Sequence, residues 1–158
     1  AAWLGAALPG VEPVTVEPDV RTRARWAGVE ERIEDVGGAA AIRTVPADGA
    51  EAVVVSPVAG TVLKLHPHAA IVLADGGIGV LVHVGIDTVN LNGEGFTLLA
   101  AEKAKVAVGD PLISFSPSGI RDRGLSAICP VVVMDFQPGS ITNLEEHDVA
   151  AGDWIFTV

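Results

Sequence analysis

The chain has 158 residues, enough for one domain with a substantial core. It is 49% hydrophobic but only 4% aromatic, so that core is to be built from Val, Ile, Leu and Ala. A formal net charge of −10 excludes a nucleic-acid partner and binding to an anionic membrane surface, because no basic patch exists to displace counterions.

In chain order, the opening AAWLGAALPG is apolar but too short to span a bilayer. VEPVTVEPDV (11–20) reads as extended chain punctuated by proline. The densely charged stretch 21–36 places Trp26, Val29, Ile33 and Val36 at helical spacing and predicts a short surface helix. From Val53 onward the pattern is strands and turns. AVVVSPVAGTVLKL, AAIVLAD, IGVLVHVG, PLISF, AICPVVVMDF and DWIFTV are short and apolar or β-branched, and GG, NGEG and PSG separate some of them. Eighteen glycines and ten prolines suit such punctuation. The expected class is all-β: an antiparallel sandwich or barrel-sandwich hybrid with at most short helices. VAVGDPLISF (106–115) recurs in form as VAAGDWIFTV (149–158), which is either common Gly-Asp turn chemistry or a sign of two internally related halves.

One residue stands out. His83 lies inside the run Val80-Leu81-Val82-His83-Val84-Gly85-Ile86. If Asp75-Gly76 forms a two-residue hairpin loop, residue i pairs with residue 151 − i and His68 falls directly opposite His83. The two imidazoles then share one face, about 4.5–5.5 Å apart at Cβ. Ile71, Leu73, Ile78, Val80, Val82 and Val84 take the other face, the core; Ala70, Leu81 and Gly85 join the histidines. An odd-length loop would separate the rings. Neighbouring imidazoles can accept a phosphoryl group on nitrogen and steady it, can hold zinc with a third ligand, or can be two solvated histidines at a sheet surface.

The run GIGVLVHVGIDTVNLNGEGF (77–96), with SPVAGTVLKL and PHAAIVL before it, resembles the glucose-type enzyme IIA family of the bacterial phosphoenolpyruvate-dependent sugar phosphotransferase system. The family pattern is Gly, an apolar strand, His-apolar-Gly-apolar-Asp-Thr-apolar, then Gly-Glu-Gly-Phe. Gly77, His83, Gly85, Asp87, Thr88 and Gly93 to Phe96 supply it, and His68 stands where an upstream histidine is expected. The resemblance implies a single domain over 1–158, matched from residue 52 to the end. Residues 1–50 diverge, with an insertion at 21–36.

It further implies an antiparallel sandwich with related halves. His83 would be the phosphoryl acceptor, taking the group from phospho-HPr, a small carrier with a basic face, and passing it to a cysteine of enzyme IIB in a sugar permease. His68 would stabilise the phosphoryl group, Gly85 would keep the approach open, and Asp87 would sit at the rim. No cofactor is implied, although zinc at His68 and His83 is conceivable chemistry. The setting would be cytoplasmic, with docking to a membrane transporter but no insertion. In the family a hydrogen-bonding Thr often precedes the first histidine by two residues; here it is His66, giving His-Pro-His at the edge of the site.

Alternatives come from other classes. A lysostaphin-type zinc peptidase shares the architecture and uses His-x-x-x-Asp and His-x-His, which occur as His83–Asp87 and His66–His68 but in reversed order. A lipoyl or biotinyl carrier would need a hairpin-tip lysine, and Lys64, Lys103 and Lys105 lack that context. A degenerate enzyme IIA-like domain would keep the histidines without transfer. Cys129, the single cysteine, cannot form an internal disulfide and is expected to pack as a small hydrophobe; His147 is expected to be solvated.

Overall fold

The computed structural model describes residues 51–134 with their side chains, and, as backbone, six strands outside that span. Those six are β1 (Trp3–Gly5), β2 (Val14–Thr15), β3 (Arg23–Trp26), β4 (Val29–Arg32), β5 (Ala40–Thr44) and β14 (Trp154–Thr157). Between them run β6 (Ala52–Val55), β7 (Gly60–His66), β8 (Ala69–Ala74), β9 (Gly79–His83), β10 (Phe96–Leu98), β11 (Lys105–Val106), β12 (Pro111–Phe115) and β13 (Cys129–Val133). A 3₁₀ turn occupies Thr88–Leu91 and a short helix α1 occupies Pro117–Asp122. Pro117 starts that helix and Ser116 caps it by accepting the Gly119 N–H at 3.0 Å.

All the strand pairs are antiparallel. The larger sheet runs β11-β7-β8-β9-β13-β5-β2 and the smaller β10-β12-β6. Val62, Val72, Val80, Val82, Val131 and Val133 from the first meet Val54, Leu112, Ile113 and Phe115 from the second in one buried cluster. This is the aliphatic core the composition requires, and the all-β antiparallel class holds. Among the described residues no helix is long and apolar enough to cross a membrane.

Two local expectations are corrected. Residues 23–26 and 29–32 form a hairpin, β3–β4, instead of the helix expected over 21–36. The helical spacing of Trp26 and Val29 coexists with Gly28, a poor helix former, and the hairpin register sets Arg25 opposite Glu30. The β8–β9 register also differs. Ala70 pairs with Val82 and Val72 with Val80, so i pairs with 152 − i. The loop is therefore Asp75-Gly76-Gly77, with Gly77 at φ +85° and its N–H bonded to the Ala74 carbonyl at 2.8 Å. A one-residue shift exchanges the faces of β8. Ala70, Val72 and Ala74 are buried, Ile71 is half-buried and Leu73 exposed, the reverse of the expectation, while Val80, Val82 and Val84 are core as expected.

Candidate functional site

Two strands and the turn between β7 and β8 bring three imidazoles together. In β7 the register slips at Leu63, between Val62 and Lys64. Without that bulge Lys64 and His66 would follow Val62 into the core. With it, Leu65 turns inward and His66 outward. His66 pairs with Ala69, and Ala69 pairs with His83 across β8. His66 and His83 therefore flank a methyl group on the same face, two strand spacings or roughly 9–10 Å apart.

His68 fills the interval. It lies beyond the end of β8, in the two-residue turn Pro67-His68, where strand alternation no longer fixes direction. Its carbonyl accepts the Val84 N–H at 2.7 Å, which extends the ladder by one step and fixes the turn against the end of β9. The His68 ring centroid is 5.4 Å from that of His83, tilted by 54°, and 5.8 Å from that of His66, nearly parallel at 14°. The three-residue hairpin loop thus leaves the rings together, because His68 is a turn residue and not a strand residue.

The His83 ring is oriented by its own chain. Nδ1 lies 2.6 Å from the Gly85 carbonyl. A carbonyl can only accept, so Nδ1 carries the proton and donates, and Nε2 keeps its lone pair. Burial lowers the His83 pKa from 6.5, against the opposing pull of the Gly85 carbonyl and the Asp87 charge. Burial also lowers that of His68, helped by the neighbouring His83 and His66. Both rings are thereby biased to the neutral, nucleophilic form.

Gly85 does something other than keep an approach clear. It has φ +73°, and a Cβ there would lie 2.4 Å from Thr88 Cγ2 and 2.9 Å from the Ser126 carbonyl oxygen. Its missing side chain faces the protein interior, and its carbonyl is what holds His83. Thr88, which the sequence offered only as a motif letter, is fully buried and donates to the Val84 carbonyl at 2.5 Å, closing the turn beneath the histidine. Asp87 is exposed at φ 59°, at the start of the 3₁₀ turn. In the Gly-Glu-Gly-Phe segment, Gly93 has φ +86° and packs against Pro67, whose Cγ would be 3.3 Å from a Cβ there. Glu94 pairs with Arg123. Gly93 entered the sequence reading only as a motif letter, and Pro67 and Ser126 were given no role there; the His-Pro-His string signalled Pro67 and nothing signalled Ser126.

Among the described residues no group of three or more His, Cys, Asp or Glu side chains is arranged to hold a metal ion. Cys129 is buried, donates to the Ala127 carbonyl at 3.3 Å, and has its pKa pushed up to about 12 by burial, as suits a packing role. Lys64 and Lys105 are engaged with Glu102 and Asp75. His147 lies outside the described residues.

Residues 34–138 match the model of the family described as "phosphoenolpyruvate-dependent sugar phosphotransferase system, EIIA 1". The chain belongs to that EIIA family. The glucose-specific EIIA components of Staphylococcus aureus strains Mu50 and MRSA252 are each 36% identical over 146 residues, spanning 87% of this chain and 88% of the relative. In three dimensions the chain is similar to glucose permease IIA from Mycoplasma capricolum, with a TM-score of 0.76 at 21% identity, covering 98% of this chain and 93% of the other. The EIIA sandwich is thus the fold of this chain. As an EIIA component it is a phosphoryl carrier of the sugar phosphotransferase system, and the zinc-peptidase and degenerate-domain readings are not favoured.

Proposed function

We propose that this EIIA domain carries the phosphoryl group on Nε2 of His83, receives it from phospho-HPr and hands it to the cysteine of an enzyme IIB domain during sugar uptake. The observation that supports this most directly is the His83 Nδ1–H bond to the Gly85 carbonyl beside the His68 ring. The proton stays on Nδ1 throughout. The Nε2 lone pair attacks phosphorus, the bond from phosphorus to the donor nitrogen breaks, and its electron pair returns to the donor ring. In the second transfer the cysteine thiolate of IIB attacks, and the pair returns to Nε2. Such a reaction needs mainly in-line positioning and charge stabilisation, which a ring held on a sheet and a neighbouring imidazole N–H provide.

His68 is assigned to stabilising the phosphoryl group, and Asp87 and His66 to the rim. The site operates without a cofactor, in the cytoplasm, as one domain spanning the chain and docking to a membrane transporter. The relatives named glucose-specific make a sugar of that class the first to test. Incubation with phosphoenolpyruvate, enzyme I and HPr is the test. Wild type should take up one labelled phosphoryl group. His83→Ala should take up none. His68→Ala should be labelled yet pass the group to IIB at least about tenfold more slowly. Absence of label on the wild type, or full labelling of His83→Ala, overturns the proposal.

A further inference from the structure

The outermost imidazole is not explained by a two-histidine relay. His66 is exposed at the end of β7, is placed on the outer face by the Leu63 bulge, and lies nearly parallel to the His68 ring at 5.8 Å. His68 has no regular strand to direct it, since it sits in a two-residue turn. Its backbone is held by the Val84 N–H and its neighbour Pro67 is packed against Gly93, but neither contact restrains the imidazole about its own side-chain torsions. Among the described residues its aromatic neighbours are the His83 ring, tilted by 54°, and the His66 ring, nearly parallel to it. A free His68 ring could rotate toward solvent and leave the phosphoryl group unsupported. A ring stacked on its outer side removes that freedom.

We propose that His66 is a positioning residue for phosphoryl transfer, acting as a stacking plate that holds the His68 ring over His83. This rests on the assignment of His83 as the phosphoryl acceptor. His66 need not touch the phosphoryl group or change protonation. Its planar face is the working feature, so any flat ring at this position should serve. The requirement falls on transfer, because His83 is oriented independently by the Gly85 carbonyl.

Two variants separate a plate from a titrating or hydrogen-bonding group: His66→Ala, which removes the ring, and His66→Phe, which keeps it without nitrogen. Both are examined beside wild type and His83→Ala in two ways. The first is the rate of phosphoryl passage from the labelled domain to IIB. The second is the NMR shift of the His68 ring protons, which a stacked neighbour moves by its ring current and a merely structural role would not. His66→Ala should slow passage about three- to tenfold and shift the His68 ring protons toward solvent values. His66→Phe should restore the rate to within about twofold of wild type and keep a displaced His68 shift. Unchanged passage in His66→Ala overturns the proposal, as does a His66→Phe variant as slow as His66→Ala. If wild type itself takes no label, the acceptor assignment has failed and this inference falls with it; a labelled wild type with indifferent His66 variants sinks the inference alone.

Discussion

At His83 a few contacts set the chemistry. The Gly85 carbonyl fixes which nitrogen is free, and partial burial favours the neutral ring. The sign of the pH effect follows. Native His83 and His68 titrate below 6.5, the value expected of the unfolded chain. As pH falls through 6.5 the unfolded state binds protons that the native state refuses, so these residues lower stability on the acid side until the native rings are themselves protonated. NMR titration of the ring protons should place both inflections below 6.5, and phosphoryl acceptance should decline on the acid side with a midpoint that also lies below 6.5. An inflection above 6.5 at either ring would contradict the burial that holds them neutral. Gly85 teaches a different lesson at this scale. The motif letter was legible in the sequence, but its reason was not, because the direction in which a missing Cβ would point is fixed only by the packed Thr88 and Ser126.

At the scale of the element, register is the controlling variable. Alternation of Val80, Val82 and Val84 correctly gave the buried face of β9. Asp75-Gly76-Gly77 offered more than one loop, and the choice among them decided the face of every β8 side chain. The β7–β8 register is pinned at its far end by Gly60. A Cβ there would lie 2.1 Å from the Leu73 carbonyl oxygen and 2.8 Å from its carbon, both backbone atoms that cannot swing aside. Gly60→Ala should therefore push the two strands apart and cost roughly 1–3 kcal/mol or more in urea unfolding, with amide exchange accelerating along the β7–β8 ladder first. Wild-type protection in that ladder would show the close approach to be dispensable. Strands such as Ala40–Thr44 and Phe96–Leu98 escaped the sequence reading, the first because AAIRT opens on two alanines, which are depleted in strands. The hairpin at 23–32 was misread because helical spacing and cross-strand pairing can share the same few residues.

Over the whole molecule, two sheets close on one aliphatic cluster and leave the imidazole row on the outer face of the larger sheet. A net charge of −10 sets the long-range field. If the donor presents a basic face, capture is electrostatically steered. Raising ionic strength from about 0.05 to 0.5 M should then slow transfer at sub-saturating donor by about tenfold or more, while the single-turnover rate at saturation changes little. Salt-independent capture would place the recognition in apolar contacts instead.

The sequence by itself determined the all-β class, the aliphatic core and the family, and it put forward the two central histidines as candidates, because residue type and short-range spacing are local properties of the chain. Tertiary structure alone decided the β8 face, the interior role of Gly85, and the stacking of His66 on His68. Each of these depends on a bulge, a loop length or a backbone contact between distant segments, where a shift of one residue reverses the outcome and periodicity cannot report it.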